Sequence, residues 1–364
     1  MNNFIRNHSS NNSLLRICYF GIYNSEWGRS RIYIKGLKEN GVEILECRDD
    51  SKGFLKYWRL FNKHAKIRSS YDFMIVGYPG HAVVWFAKLL SKKKVVFDAL
   101  CTMEEGVLIS RQQYKYLSIK ALYIKFIDWL AVKCADIVLV ESEEQRKYFE
   151  NKFGKSDKYK VVYTGADDSV FYKDENIKKK EKFTVVFRGK FLPEAGVKYI
   201  IETAKLLEDQ NVDFIIIGNG WLEDNLKFKI SNLKLKNLEL ITENLSYDEL
   251  RKKMLECHIS LGQFEDHERL KRTIPHKCFE TLALGLPYIT ARTEPIAEIL
   301  KDGESVLFVN PADPKDLAEK ILYLKNNYEL AKKIGDNGYK IYQNKFTPHM
   351  LAQKMLSLIT SYKK

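Results

Sequence analysis

The sequence predicts an α/β protein built from two doubly wound, parallel-sheet domains that face a common cleft. Short, almost continuously apolar strands alternate with helices along most of the chain, which is the pattern of parallel sheets covered by helices on both faces. A chain of 364 residues is too long for one ordinary hydrophobic core. A charged segment at 178–182 divides the alternation into two series, so we expect one domain on each side of it.

The elements follow from runs of apolar residues ended by glycine and other turn residues. In the first series the predicted strands are 14–20, 42–46, 73–76, 94–97, 137–140 and 160–163, and the predicted helices are 30–40, 82–90 and 114–133. In the second series the predicted strands are 183–187, 213–217, 238–241, 258–261, 288–291 and 306–309. The helices expected between and after them are 194–209, 222–233, 247–256, 275–284, 295–300, 313–325 and 328–345, and an amphipathic helix at 348–361 closes the chain.

We expect a disordered lead-in at 1–13, a first domain at 14–168, a linker at 169–182, a second domain at 183–345 and a final helical segment at 346–364. The lead-in is rich in Asn and Ser and lacks an apolar core, so it is not predicted to be a signal peptide. Apolar runs stay below 18 residues, so no membrane span is expected. Six scattered cysteines without Cys-x-x-Cys spacing indicate reduced thiols in a cytosolic protein.

The net charge of +13 favours a polyanionic partner, which could be nucleic acid, an acidic membrane surface or a phosphate-bearing substrate. No motif that reads DNA or RNA is evident, and the basic residues are spread over both halves, so we do not expect nucleic acid as a partner. The helix predicted at 114–133 mixes aromatic residues with lysines. It is either a core-facing helix with lysines on its wet side, which is the favoured interpretation, or a peripheral contact with anionic lipid.

The most informative stretch is a short helix expected between Pro275 and Gly285. Pro275 suits the first turn of a helix, and Gly285 suits its end. Lys277 and Glu280 share one face of this helix, with Thr281 beside them. Unpaired backbone N–H groups at the helix start could bind the phosphates of a nucleotide, and a carboxylate could bind its ribose. The alternative is an amphipathic surface helix with an ordinary ion pair.

Two further strand-to-helix loops of the second half carry residues suited to a phosphate ligand. Arg188, Gly189 and Lys190 follow the first strand, and guanidinium and ammonium groups there would find natural partners in phosphate oxygens. An ordinary basic loop is the alternative. Gly218 and Gly220 form a second turn, which lacks the third small residue of a dinucleotide-binding fingerprint.

The first half supplies weaker candidates. Gly28, Arg29 and Arg31 lie just before a predicted helix and could bind a phosphate or an acceptor, although a plain helix cap is an equal alternative. His81 and Asp98 follow predicted strands and are the candidates for acid-base chemistry facing the cleft. Neither an Asp-x-Asp pair nor a His-x-x-x-His pair occurs in the sequence, so a mechanism without a metal or other cofactor is expected.

Taken together and in this order, these motifs resemble the donor half of family 4 (group 1) retaining glycosyltransferases, which have the two-Rossmann GT-B fold. The resemblance spans the chain from Leu15 onward and is weaker in the first half. The segments that carry it are 187–190 with Gly196, 217–220, 277–287 and 298–303.

The resemblance implies roles for individual residues. Glu280 would bind the ribose of the donor, and Arg188 with Lys190 would stabilise the leaving diphosphate. The helix N-terminus near Thr281 and Leu282 would contribute backbone N–H groups to the same phosphates. The final helix would cross back onto the first domain.

One departure from the family pattern concerns its usual pair of glutamates, which stand eight positions apart. Arg272 occupies the position eight residues before Glu280. Glu265 or Asp266 could supply the second carboxylate from a loop of different length.

The sequence therefore favours a glycosyltransferase that moves a sugar from a nucleotide-sugar donor to a glycan or lipid-linked acceptor, in the synthesis of a cell-surface polysaccharide or glycoconjugate. Retention of configuration is implied by the resemblance alone. Arg188, Lys190 and Lys277 would stabilise the charge that develops on the leaving phosphates. The alternatives are a sugar-nucleotide epimerase or hydrolase of the same fold, a non-catalytic partner subunit, and a nucleic-acid-binding protein. The expected location is the cytoplasm, either free or at the inner face of the cytoplasmic membrane.

Overall fold

The computed structural model describes residues 14–26, 28–111, 113–116 and 118–362, and the lead-in expected at 1–13 lies outside them. The described chain forms two parallel six-stranded sheets, which confirms the two-domain α/β prediction. The first sheet contains β1 (Arg16–Gly21), β2 (Glu43–Arg48), β3 (Phe73–Val76), β4 (Val95–Leu100), β5 (Ile137–Val140) and β6 (Tyr159–Val161). Its helices are α1 (Gly28–Glu39), α2 (Leu55–Ala65), α3 (Val84–Leu90), α4 (Ile119–Cys134) and α5 (Glu143–Phe153).

The second sheet contains β7 (Phe183–Arg188), β8 (Val212–Ile217), β9 (Leu238–Ile241), β10 (Ile259–Leu261), β11 (Tyr288–Ala291) and β12 (Leu307–Val309). Its helices are α6 (Val197–Leu206), α7 (Glu223–Leu233), α8 (Tyr247–Leu255), α9 (His276–Ala283), α10 (Glu294–Ala297), α11 (Pro314–Asn326) and α12 (Tyr328–Lys345), and the chain ends with α13 (Pro348–Ser361).

The strand orders locate the site at which a ligand is expected. The sheets run β2-β1-β3-β4-β5-β6 and β9-β8-β7-β10-β11-β12. The order reverses between β1 and β3 in the first sheet and between β7 and β10 in the second. Ligands of open α/β sheets bind outside the carboxyl ends of the strands at such reversals.

Helix α13 returns to the first domain and packs on α1. The two backbones approach so closely that a β-carbon placed on Gly36 would lie 1.9 Å from the carbonyl oxygen of Pro348. Leu351 and Met355 of α13 share a buried cluster with Leu37 of α1. The final helix is therefore held by apolar contacts with the domain at the other end of the sequence.

Three elements of the first domain were missed by the sequence prediction: α2, α5 and a π-helical turn at Glu104–Ser110. Helix α5 does carry a recognisable start, because the Ser142 side chain accepts a hydrogen bond from the Gln145 N–H at 2.9 Å, as an N-cap serine does. The helix expected from residue 114 begins only at Ile119, after its cap Ser118.

The expectations about membrane spans and about cysteines can be compared with the described residues. None of their helices is both long enough and apolar enough to cross a membrane. All six cysteines carry free thiols, and all except Cys134 are buried.

Candidate active site

Helix α9 lies in the interior of the second domain. It begins at His276, directly after Pro275, so the free N–H groups of its first turn belong to the residues from His276 onward. Lys277 and Glu280 are 6% and 5% exposed. The alternative of a surface helix with a solvated ion pair is therefore wrong.

A partly buried ion pair joins α9 to the end of β7. The Arg188 guanidinium donates a hydrogen bond to Oε1 of Glu280, whereas Oε2 of the same carboxylate has no hydrogen-bond partner among the described residues. Burial raises the pKa of Glu280, and the positive charges of Arg188 and Lys277 oppose that rise. The carboxylate is thus held in place with one oxygen left to accept a hydrogen bond.

Lys277 presents a buried ammonium group to the same site. Its Nζ has no hydrogen-bond acceptor among the described residues and lies 3.7 Å from the centre of the Phe187 ring. A β-carbon placed on Gly189 would be 2.7 Å from this Nζ, so the ammonium group reaches the loop after β7. Burial, with a further contribution from Arg188, lowers the pKa of Lys277 well below its usual value. A buried cation without a partner is costly, and an anionic ligand would relieve that cost.

The loops after β7 and β8 interlock beside this ion pair. A β-carbon on Gly218 would lie 1.9 Å from the carbonyl oxygen of Gly189, so only glycine allows the two loops to approach this closely. Lys190 donates a hydrogen bond to Oδ1 of Asn219 at 2.5 Å. A β-carbon on Gly220 would lie 2.9 Å from a backbone nitrogen of the loop after β7.

The interlocked loops form one wall of a pocket of about 170 Å³. Its lining residues are Arg188, Gly189, Lys190, Ile217, Gly218, Asn219, Glu243, Asn244, Leu245 and Leu250. Three larger hollows, of about 550, 360 and 230 Å³, are lined by other residues of the described chain and share none of these groups. We place the candidate site beside the smaller pocket because Arg188, which lines it, pairs with the buried Glu280, and Gly189, which also lines it, lies next to the buried Lys277 ammonium.

The first domain approaches the start of α9 across the cleft. A β-carbon on Gly28 would lie 2.9 Å from Cε1 of His276. Arg31 forms an ion pair with Asp167 at 2.9 Å, and its charge still acts on the pKa of Glu280. Burial lowers the pKa of His276 to about 3, with Arg188 acting in the same direction. His276 was missed by the sequence prediction, although its position directly after the helix-opening proline was a signal.

The other first-domain candidates are structural residues, so the prediction that His81 and Asp98 face the cleft is wrong. Asp98 is fully buried and accepts a hydrogen bond from Nε of Arg29 at 2.7 Å, while Arg29 also donates to Thr164 at 3.1 Å. Burial raises the pKa of Asp98, and Arg29 opposes that rise. His81 contacts the carbonyl oxygen of Cys101 at 2.9 Å, and burial lowers its pKa to about 4. Arg29 is thus the partner of an interior carboxylate and not a phosphate ligand.

Thr281 and Leu282 also need correction. Because α9 starts at His276, both residues lie in its second turn, where backbone N–H groups take part in helical hydrogen bonds. The Thr281 hydroxyl contacts the Ser260 hydroxyl of β10 at 2.7 Å, and Leu282 belongs to the hydrophobic core. These two side chains attach α9 to the sheet.

Neither candidate for the second carboxylate is joined to the Arg188–Glu280 pair by any described contact. The carboxylate of Glu265 is held by Lys198 at 2.8 Å and by the Tyr199 hydroxyl at 3.0 Å. Asp266 is exposed. The proposal that one of them replaces the missing glutamate receives no geometric support.

Arg272, which stands at the position of that glutamate, instead meets a carboxylate from the first domain. Its Nε donates to Oε1 of Glu105 at 2.8 Å, and its guanidinium lies 4.5 Å from the centre of the Tyr148 ring. Glu105 is fully buried and also accepts hydrogen bonds from Gln145 at 2.6 Å and the Thr102 hydroxyl at 3.1 Å. The loop that leads into α9 is thereby fastened to the first domain.

Replacing Arg272 by alanine is expected to lower the free energy of unfolding by about 3–5 kcal/mol, because it leaves the Glu105 carboxylate buried without its cation. Lys271→Ala is the matched control, since Lys271 forms an exposed ion pair with Glu268 and should change stability by less than about 0.5 kcal/mol. Urea denaturation of both variants measures the difference. Similar unfolding midpoints would show that the Arg272–Glu105 contact does not hold the loop.

The two facing α/β domains, with charged groups gathered at the end of β7 and the start of α9, define a protein of the GT-B architecture. Residues 168–341, which include the second sheet and most of its helices, match the family described as glycosyl transferases group 1. The match covers the whole candidate site of the second domain.

Comparisons with individual proteins agree with this assignment. An uncharacterized glycosyltransferase of Methanocaldococcus jannaschii is 29% identical over 203 residues, which cover 55% of this chain and 54% of that protein, so the match spans about half the length of this relative. The capsular polysaccharide biosynthesis glycosyltransferase CapM of Staphylococcus aureus is 22% identical over 264 residues, covering 67% of each chain. The crystal structure of HepE of Anabaena in complex with UDP matches with a TM-score of 0.72 and 15% identity, over 96% of this chain and 100% of that one. At 15% identity, the similarity to HepE is evidence for the fold alone.

Proposed function

We propose that the protein transfers a sugar from a nucleoside diphosphate sugar to a glycan or lipid-linked acceptor, in the synthesis of a cell-surface polysaccharide or related glycoconjugate. The observation that carries this proposal is the buried Lys277 ammonium, which has no acceptor among the described residues and lies beside the Arg188–Glu280 pair and the start of α9. Cations and free backbone N–H groups suit a diphosphate, and the open oxygen of Glu280 suits a ribose hydroxyl.

The donor is proposed to be a UDP-sugar. HepE, which has a similar fold, was crystallised with UDP and with UDP-glucose. The pocket beside Arg188 is lined by Asn244, whose amide can hydrogen-bond a base, and by the apolar side chains of Ile217, Leu245 and Leu250. Its position next to Lys277 would leave the diphosphate between the pocket and the cleft.

The leaving group is proposed to depart without a metal ion. Arg188, Lys190 and Lys277 would stabilise the negative charge that grows on the diphosphate as the bond to the sugar breaks. These groups are fixed before the reaction, so they stabilise the transition state more than a flexible solvent shell would. Retention of anomeric configuration is part of the proposal and rests on the resemblance to retaining glycosyltransferases alone.

The acceptor side of the proposal involves the first domain, which closes the cleft through Gly28 and Arg31. The similarity to a capsular polysaccharide biosynthesis glycosyltransferase supports a growing glycan or a lipid-linked sugar as acceptor. We propose a cytoplasmic protein that reaches such an acceptor at the inner face of the membrane.

Calorimetry with UDP, followed by turnover of a panel of UDP-sugars with and without extracted lipid-linked acceptors, tests this function. The expected result is saturable UDP binding and sugar transfer that requires the acceptor. Release of free sugar or an epimer without acceptor would identify a hydrolase or epimerase, and absence of binding to any nucleotide would favour a non-catalytic subunit.

A further inference from the structure

Helix α2 exposes an apolar side to solvent. Phe54, directly before the helix, is 89% exposed, and Trp58 is 64% exposed. Leu55 and Phe61 are exposed on the same helix, whereas Leu60 and His64 face the domain interior. Leu60 and His64 pack α2 onto the domain. The rings of Phe54, Trp58 and Phe61 are exposed to solvent instead, so the fold of this domain does not explain them.

Helix α4 exposes a second apolar side. Ile119 is 86% exposed, and Leu122, Tyr123, Phe126 and Trp129 are exposed beyond it. They follow one another at helical spacing, opposite the buried positions of the same helix. Helix α4 therefore faces the core with one side, as the favoured interpretation expected, but its aromatic residues lie with its lysines on the solvent side.

The exposed sides of α2 and α4 belong to one region of the first domain, which we call the aromatic face. Helix α3 contacts both helices. Tyr57 of α2 also lies close enough to Tyr123 of α4 for the two hydroxyls to interact electrostatically. The two helices thus flank a third one on the same layer of the domain.

Cations accompany the aromatic face and acids are nearly absent from it. Residues 51–71 contain six Lys or Arg residues and no Asp or Glu. On α4 the only acid is Asp128, which is buried. Lysines also stack on the rings of this region: Lys125 lies 3.5 Å from the Tyr116 ring centre and Lys133 lies 4.8 Å from that of Trp129.

We propose that the aromatic face docks on the surface of an anionic lipid bilayer. Rings and aliphatic side chains among lysines and arginines match the boundary between acyl chains and negatively charged headgroups, where long cationic side chains reach the phosphates. The functional role of this docking rests on the proposed function, because a first domain docked on the membrane would bring the cleft to a lipid-linked acceptor.

The basic charge of the aromatic face argues against two other occupants, a second copy of this chain and a different protein. A symmetric contact between two copies would set the same basic surface against itself. A protein partner would need an acidic surface to complement it. Anionic lipid supplies negative charge and an apolar layer together.

Sedimentation of the full-length protein with lipid vesicles tests the docking. Vesicles of phosphatidylcholine with phosphatidylglycerol should bind it about tenfold or more tightly than phosphatidylcholine alone, and salt should weaken that binding. The variants Phe54→Ser/Trp58→Ser on α2 and Phe126→Ser/Trp129→Ser on α4 should each weaken binding about tenfold. Phe228→Ser is the control, because Phe228 is 69% exposed on α7 of the other domain.

Several results would overturn the proposal. These are absence of vesicle binding, equal binding to vesicles with and without phosphatidylglycerol, unchanged binding by both double variants, and self-association of the wild type that these variants abolish. Calorimetry with UDP on the same samples separates the two proposals, since the aromatic-face variants should bind UDP as the wild type does. Loss of vesicle binding with normal UDP binding would leave the proposed function standing.

Discussion

Replacing Glu280 by alanine is expected to weaken donor binding by roughly a hundredfold or more. The Glu280 carboxylate is buried, holds Arg188 and offers its second oxygen to the site. The variant removes the charged acceptor proposed for the ribose hydroxyl and the carboxylate that positions Arg188, and truncating a charged group that is hydrogen-bonded across a buried interface costs about 2–5 kcal/mol of binding free energy. Calorimetry with UDP-sugar, compared with UDP, measures the loss.

The control for this experiment is Glu265→Ala. Glu265 is a carboxylate of the same domain whose partners are Lys198 and Tyr199, so its loss should leave donor affinity within about threefold of the wild type, as expected for a site with no shared contact. Urea denaturation of both variants excludes misfolding as the cause. Unchanged donor affinity in a folded Glu280→Ala variant would refute the assignment of the ribose carboxylate.

The core of the candidate site was predictable because it depends on local patterns. Helical spacing places Lys277 and Glu280 on one face, and the parallel order of β7 and β10 brings their carboxyl ends to the same edge of the sheet. Arg188 ends β7, so its meeting with Glu280 follows from those two facts. The positions of Arg188 in its strand and of Glu280 in its helix were therefore enough to predict that the two side chains meet.

Contacts between distant segments were not predictable from the sequence. Arg272 and Glu105 are 167 residues apart, and no local pattern states that the arginine at a carboxylate position meets a carboxylate of the other domain. Asp98 and His81 end or follow strands as catalytic residues often do, yet their burial is decided by the packing of the whole first domain. A charge in the sequence does not reveal whether its partner is a ligand or another side chain.

The exposure of α2 was unpredictable for a different reason. Sequence prediction assigns apolar residues to the interior, since most folded domains bury them. Trp58 and Phe61 break that rule, because their partner lies outside the chain under the docking proposed for the aromatic face.

Replacing Lys277 by methionine is expected to stabilise the ligand-free protein while it weakens UDP binding. The Lys277 ammonium is buried without an acceptor among the described residues, and a methionine fills similar space without a charge. Replacing buried ion pairs by apolar side chains of similar volume can raise stability by about 1–4 kcal/mol, and we expect a gain of this order for the single buried amine, because burial alone disfavours it. The same exchange removes a cation from the proposed diphosphate site, so stability and affinity should move in opposite directions. Urea denaturation and calorimetry measure the two quantities.

The pH dependence of stability gives an independent test of Lys277. Its pKa is lowered in the folded protein, so the unfolded chain binds more protons at every pH between the folded pKa and about 10.4, the ordinary lysine value. The free energy of unfolding should therefore rise with pH across this window, and Lys277→Met should lose that rise. Lys190→Met is the control, because the exposed Lys190 side chain bonds to Asn219 at the rim of the pocket.

Donor binding should be coupled to proton uptake through the same residue. A diphosphate beside Lys277 favours the charged form of the amine, so UDP binding should raise the lowered pKa of Lys277 and draw a proton onto it at pH values between its pKa without UDP and its pKa with UDP. Calorimetry at a series of pH values above about 7, in buffers of different ionisation enthalpy, counts that proton. His276 would contribute little in this range because its pKa, about 3, is far below it. We expect uptake of up to about one proton by the wild type and by Lys190→Met, and none by Lys277→Met, since only the last variant lacks the buried amine. Equal uptake in all three proteins would show that the diphosphate does not meet Lys277.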